Sequence, residues 1–296
     1  MLAFFHRSDL DGFCSGAIVR YKYPGCRMFP IEYGDTIPWE QIRKGETVFM
    51  CDFSFSKEDM LRLMNLTDGN FYWYDHHDTS IKDVNSIGLQ IPGIRNILCS
   101  GCELTWMGLF PNEKIPECVF LIGRYDVWDL EDKRVLPFQY RMRMEKLNPN
   151  YQETIDIWTA LFEGTCLDSY LKDGEIIYQY QVQQDRKYAH ELSFETVLYC
   201  PTPSRQHIRY FIPYTGIAVN RAHVQSSIFD GIHDPSKHDL MITFCRMRNQ
   251  KWMVRLYSDN VIGYHCGDIA IAVAGDDGGG HEHAAGFTSK TLPFQI

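Results

Sequence analysis

Three short apolar runs near the start of the chain each end on carboxylates or imidazoles, and this repeat constrains the fold more than any other feature. Leu2-Ala3-Phe4-Phe5 leads into His6, Asp9 and Asp11, Thr47–Cys51 leads into Asp52, and Phe71-Tyr72-Trp73-Tyr74 leads into Asp75, His76 and His77. Short apolar stretches bounded by polar clusters read as buried strands. Helical patterns separate them: one opens at Gly12–Tyr21, and Ser54-Phe-Ser-Lys-Glu-Asp59 is a start signal for another running to Leu66. Further strands are predicted at Arg27–Tyr33 and Ile94–Cys99, with a helix around Glu103–Leu109. Strands alternating with helices predict an α/β fold, a mostly parallel sheet flanked by helices on both faces. In such sheets functional residues gather beyond the carboxyl ends of the strands, where these charged clusters fall.

Farther along, residues 150–197 carry helical patterning with few breakers, and Cys200-Pro-Thr-Pro-Ser-Arg205 reads as a turn opening a new unit. Strands then recur at Ile208–Pro213, Gly216–Asn220, Asp239–Phe244 and Trp252–Tyr257, around two helical stretches. The predicted organisation is a first domain over 1–180, a helical linker over 181–200 and a smaller α/β domain over 201–296.

A net charge of −9 argues against a long duplex DNA footprint, which needs a basic face. It leaves a short anionic substrate open, because bound divalent ions add positive charge of their own. No run of 18 or more apolar residues is present, so no membrane span is predicted. The apolar N-terminal run meets His6 too soon for a signal peptide. The ten cysteines are scattered, which reads as reduced, buried thiols in a cytoplasmic protein. Cys99-Ser-Gly-Cys102 is a lone C-x-x-C with no second pair to complete a zinc site.

His6, Asp9 and Asp11 form an oxygen-plus-imidazole set suited to Mn²⁺ or Mg²⁺, and equally a helix cap, with Gly12 allowing a tight turn. Asp52 by itself reads as a cap. Asp75-His76-His77-Asp78 places four ionisable groups directly after buried aromatics, which is costly unless they bind something, and favours a metal. Gly123-Arg-Tyr-Asp126-Val-Trp-Asp129 offers either Asp126 or Asp129 as a further ligand. Gly278-Gly279-Gly280-His281, before a helix-like Ala284-Ala-Gly286, offers backbone N–H groups to an anion and reads as a closely packed segment rather than a flexible loop.

Taken together and in this order, these segments resemble the DHH phosphoesterase superfamily. The matching motifs are His6-x-x-Asp9-x-Asp11-Gly12, Asp52, Asp75-His76-His77 and Asp126, and the triple glycine with His281 is similar to the signature of the DHH-associated C-terminal domain. The pattern most resembles the nanoRNase/oligoribonuclease members. That resemblance implies a C-terminal domain closing a cleft, and two divalent ions, Mn²⁺ before Mg²⁺. It places one ion on His6, Asp9 and Asp52 and the other on Asp11, Asp52, His76 and Asp126. Asp75 then orients a metal ligand, and His77 contacts the phosphate or stabilises the leaving oxygen, the two being the implied catalytic residues. Gly279, Gly280 and His281 bind the far end of the substrate. Family members often carry an arginine in a Ser-Leu-Arg-Ser strand. Here that position is Tyr257, and Arg255 lies two residues earlier on the same strand face, with Arg221 a further candidate. The implied reaction is hydrolysis of short single-stranded oligonucleotides. A small-molecule phosphatase of the 3′-phosphoadenosine-phosphate type, a pyrophosphate or polyphosphate hydrolase and a silent nucleotide-binding module stay open, as does a homodimer.

Overall fold

Alternation within the N-terminal runs sorts their side chains onto two faces, and both faces are covered. The computed structural model describes residues 1–202, 210–222, 224–259, 265–280 and 282–295. Strands β1 (Leu2–His6), β2 (Arg27–Ile31), β3 (Val48–Cys51) and β4 (Phe71–Tyr74) form one parallel sheet in the order β2-β1-β3-β4. Leu2, Phe4, Val48, Met50, Phe71 and Trp73 point to one side, where they pack with Met60 and Leu63 of α2 (Lys57–Leu66) and Val84 of α3 (Asp78–Asn85). Ala3, Phe5, Phe49, Cys51 and Tyr74 point to the other side. There they meet α1 (Leu10–Lys22), α4 (Gly101–Leu109), α5 (Glu117–Asp126), α6 (Val135–Met142) and α7 (Gln152–Phe162). Each fully buried Phe or Met contributes roughly 1.5–3 kcal/mol, so the period-2 pattern fixes the register. Trp73, 1% exposed, satisfies its ring N–H on the Phe53 carbonyl at 3.0 Å.

The chain divides into two compact units, Met1–Gln179 and Tyr180–Ile296. The long helix α8 (Leu167–Leu192) runs across this division. The second unit holds a mixed six-stranded sheet in the order β5-β6-β7-β8-β10-β9, built from β5 (Ser193–Pro201), β6 (Phe211–Val219), β7 (Leu240–Arg246), β8 (Trp252–Tyr257), β9 (Gly278–Gly280) and β10 (Ala284–Ser289). Helix α9 (Cys266–Ala274) packs its Cys266, Ile269 and Ala270 against Leu198, Ile242, Val254 and Leu256 of that sheet.

Four expectations change. The helical pattern stops at Leu192, and the rest of the predicted 181–200 linker is strand β5, fully paired with β6. Ile94–Cys99 forms no strand; only an isolated bridge joins Arg95 to Asp75, and Asn96 returns its N–H to the Asp75 carbonyl at 3.3 Å. Ala284-Ala-Gly286 is strand rather than helix, because β10 closes antiparallel on both β8 and β9. Of the two helical stretches expected in the C-terminal unit, α9 is present and Ser226–Phe229 forms a short 3₁₀ turn. The first residues of the strand predicted at Ile208–Pro213 lie outside the described residues.

Candidate metal centre

Because β1, β3 and β4 run parallel, their carboxyl ends lie side by side and deliver His6, Asp52 and Asp75-His76-His77 to one edge of the sheet. Asp52 follows β3 directly, is 1% exposed and has φ +55°, a left-handed conformation uncommon outside glycine and costing on the order of 1–3 kcal/mol. Its side chain needs space from the neighbouring helix: a Cβ added at Gly101, the first residue of α4, would fall 2.4 Å from the Asp52 Cβ. Gly12 has the same purpose for His6, since a Cβ there would lie 2.2 Å from the His6 carbonyl oxygen.

Carboxylates crowd the imidazoles. His76 Nε2 lies 3.3 Å from Asp52 Oδ1, 3.2 Å from Asp126 Oδ2 and 3.9 Å from Asp11 Oδ2. One N–H can serve only one of three acceptors, so the remaining negative charge has no donor from this ring. His6 Nδ1 lies 3.2 Å from Asp9 Oδ2 and 3.7 Å from Asp52 Oδ2, with neither aligned as a hydrogen bond. Asp52 Oδ1 is buried without a hydrogen-bond donor. The donor atoms fall into three compact groups, each within 4.8 Å: His6, Asp9 and Asp52; Asp11, His76 and Asp126; and Asp52, His76 and His77.

Burial, followed by the neighbouring Asp11 charge, holds the Asp52 carboxyl well above the usual range, and the same two causes raise Asp126. Burial pulls the His6 imidazolium down, but the closeness of Asp52 and Asp9 outweighs it and pushes His6 up to about 11. Like charge concentrated in this way could hold a divalent cation, and imidazole with carboxylate oxygen is not the donor set of a thiolate-seeking ion.

The surrounding contacts hold the ligand candidates in place. Asp11, 2% exposed, accepts Gly101 N–H at 2.7 Å and Cys102 N–H at 2.8 Å, so the positive end of α4 offsets its charge. Asp9 is indeed a helix cap, accepting Gly12 N–H at 2.9 Å, and keeps its second oxygen for His6. Asp52, by contrast, caps nothing; Ser56 caps α2. Asp75, fully buried, accepts three donors on Oδ1: His76 N–H at 2.8 Å, His77 N–H at 3.2 Å and His77 Nδ1 at 2.7 Å. That contact fixes the His77 ring and leaves its Nε2 edge for another partner.

Asp126 is the last residue of α5 and joins the cluster, whereas Asp129 pairs with Arg124 at 3.3 Å. Glu32, which sequence reasoning passed over, reaches His6 Nε2 at 3.2 Å. Its signal was its position: it directly follows β2, the parallel neighbour of β1, so it arrives at the same sheet edge. In the second unit Arg255 on β8 pairs in register with Gly286, which in turn pairs with Gly279, while Gly280 pairs with Ala285. Tyr257 donates its hydroxyl to the Val224 carbonyl at 3.1 Å and is thereby engaged in structure. His281 lies outside the described residues.

No protein-family model matches the chain. The protein R106 of Acanthamoeba polyphaga mimivirus, described as uncharacterized, is 24% identical over 197 residues, covering 62% of this chain and 42% of the viral one. The chain therefore spans less than half the length of that curated relative. Among solved structures, the pGpG-specific phosphodiesterase PggH of Vibrio cholerae matches with a TM-score of 0.52 and 12% identity, over 97% of this chain and 93% of that one. The DHH domain of PF0399, described as a member of a family of ribosomal proteins, matches with a TM-score of 0.53 and 15% identity, over 98% and 82%. The chain shares the fold of these two proteins, one of them a DHH domain.

Proposed function

We propose that this DHH-fold chain is a metal-dependent phosphodiesterase that hydrolyses short single-stranded oligonucleotides or comparable nucleotide phosphoesters. Asp52 carries the reading: a buried carboxylate in a left-handed conformation, lacking a donor on Oδ1 and common to two groups of ligand atoms. Its backbone N–H is met by the Tyr74 carbonyl at 2.8 Å, but among the described residues nothing donates to Oδ1, and a pair of cations would offset that charge. His6, Asp9 and Asp52 would hold one ion, and Asp11, His76 and Asp126, with Asp52, would hold the other; Mn²⁺ is the ion we favour. Such ions supply Lewis-acid charge and a water of lowered pKa.

The chain's own groups do the rest. Asp75 orients His77, whose Nε2 edge donates to a phosphoryl or leaving oxygen. Glu32 steadies His6 from its far nitrogen. For the second unit, Arg255, Gly279, Gly280 and His281 are proposed, on the family resemblance, as contacts of a terminal phosphate or ribose; Arg255 pairs in register with Gly286, and Gly286 with Gly279. The name of PggH, a pGpG-specific phosphodiesterase, supports a substrate of dinucleotide size. All ten cysteines are unpaired, which supports work in a reducing, cytoplasmic setting.

The test gives the purified protein Mn²⁺ with 5′-labelled di-, tri- and 24-nucleotide RNAs, 3′-phosphoadenosine phosphate and pyrophosphate in parallel. Preferred cleavage of the di- and trinucleotides is expected. Turnover of pyrophosphate alone, or of nothing while Mn²⁺ is bound, overturns the proposal.

A further inference from the structure

Beside Asp9, Asp11 and Asp126, within the first unit, lies a half-open cavity of about 330 Å³. That is the lower end of the size range for small-ligand sites, about 300–1,000 Å³. One wall is the candidate metal centre. Another is apolar, formed by Phe13, Ile122, Met142 and Leu147. Tyr125 of α5, Gln139 of α6 and Arg143 just beyond α6 complete it.

Gln139 is 1% exposed, and its Nε2 has no hydrogen-bond acceptor. Leaving a buried amide donor unmade costs on the order of 1–3 kcal/mol, and Leu or Met would fill the same space without that cost. Arg143 donates from Nη2 to the Tyr125 hydroxyl at 2.7 Å, and its guanidinium lies 5.3 Å from the Tyr125 ring centroid. It pairs with no carboxylate among the described residues. The cavity thus combines apolar walls, an aromatic ring held by a cation and one unmet amide donor, directly against the place where a phosphate would be held.

We propose that this cavity is a nucleoside pocket. It takes the base of the nucleotide whose phosphate lies at Asp9, Asp11 and Asp126, and Gln139 donates to a carbonyl oxygen or ring nitrogen of that base. Tyr125, steadied by Arg143, supplies stacking surface. A second phosphate fits less well: the walls are largely apolar, and the Glu145 carboxylate also lines the cavity. The inference rests on the phosphodiesterase reading above and narrows its substrate to one with a base on this side of the phosphate.

The experiment is calorimetry on the full-length Mn²⁺-loaded protein with AMP, GMP, CMP, UMP and ribose 5-phosphate. At least one nucleotide is expected to bind ten-fold or more tightly than the sugar phosphate. In Gln139→Met that advantage shrinks by about ten-fold, and the melting temperature holds or rises, whereas a merely structural glutamine would lower it. The ligand series is read on the unmodified protein and so does not depend on the variant folding. Equal affinity for all five ligands overturns the pocket, as does a base advantage that survives in a destabilised Gln139→Met. If bis(p-nitrophenyl) phosphate is hydrolysed while the base advantage is missing, only the pocket falls. If Mn²⁺ does not bind, the phosphodiesterase reading falls and takes the pocket with it.

Discussion

The two units carry their candidate functional residues in opposite ways. In the first, carboxylates and imidazoles are packed at hydrogen-bond distance behind a parallel sheet, and Asp11, Asp52 and Asp75 are all at most 2% exposed. In the second, the corresponding region is a run of glycines on the last strands of a mixed sheet, where side chains are missing rather than crowded. The first stores unfavourable charge that a cation would relieve. In the second, Gly279 borders open space that a ligand's atoms could fill, whereas Gly278 and Gly280 are glycine because neighbouring backbone leaves no room for a Cβ. Loss of a charged ligand should therefore strike activity and spare folding, whereas loss of a glycine can strike either, depending on what borders it.

The largest effect is expected at Asp52. Asn keeps the shape and tolerates the left-handed backbone, so Asp52→Asn isolates the charge. Mn²⁺-dependent turnover should fall by about 10³-fold or more, equal to roughly 4 kcal/mol. In chelator the variant should melt above the parent, because one of the repelling buried carboxylates is gone. A variant that keeps its activity contradicts the shared-ligand role. One that melts several degrees lower in chelator makes Asp52 a structural group.

Gly280→Ala comes next. Its φ is +141°, and an added Cβ would lie 2.5 Å from the Ala285 Cα on the paired strand. Melting of the second unit should be destabilised by about 1–3 kcal/mol, with Mn²⁺ affinity unchanged in titrations. Weakened metal binding here would break the division of labour between the two units.

Much of this contrast is legible in the sequence. The strands before His6, Asp52 and His76 are written in consecutive apolar residues, and parallel pairing alone brings their ends together. Asp126 was harder: it ends a helix rather than a strand, and only its contact with His76 separates it from Asp129. Glu32 looked like any surface acid, because reaching His6 depends on β2 pairing with β1 across a gap of 26 positions. Strands β5 and β10 lack a local signal for a different reason. Without a Gly or Pro at Leu192–Ser193, nothing local ends the helix, and Ala284-Ala-Gly286 gains its extended form from the strands on either side. Local pattern shows the charged half better than the open half.

Glu32→Gln tests the supporting contact to His6. Losing a charged partner of a ligating histidine typically lowers metal affinity by about 10–100-fold. Calorimetry should show that weakening at one of two Mn²⁺ sites only. Equal weakening at both would mean that Glu32 acts on the whole cluster rather than through His6.

A smaller effect concerns pH. Asp52 and Asp126 are raised in the folded protein, so their contribution to stability is fully present below the ordinary carboxylate value near 3.8 and is lost as pH rises through their folded values. His6, raised from 6.5 to about 11, contributes stability below 6.5 that is lost as pH climbs toward 11. Both trends have the same sign. In chelator, the first unit should melt a few degrees lower at pH 8.5 than at pH 6, at about 2–4 °C per kcal/mol for a domain of this size. Excess Mn²⁺ should reverse the slope, since the ion competes with those protons. A chelated protein that becomes more stable over this range removes the charge-crowding account of the first unit.

The smallest expected change in stability is at Gly279, and it is the most discriminating for the second unit. A Cβ added there meets nothing within 4 Å, and its φ is not in the left-handed range, so neither packing nor backbone geometry requires glycine. Gly279→Ala should shift stability by no more than about 0.5–1 kcal/mol, upward if at all, because alanine loses less freedom on entering a strand. If that position faces a phosphate or ribose, the methyl group should raise KM for a dinucleotide several-fold while kcat and the melting temperature hold. Comparing it with Gly280→Ala separates glycine kept for folding from glycine kept for a ligand. Unchanged KM in Gly279→Ala would remove the strip beside Arg255 as a contact and leave recognition of the distal end to Arg255 and His281.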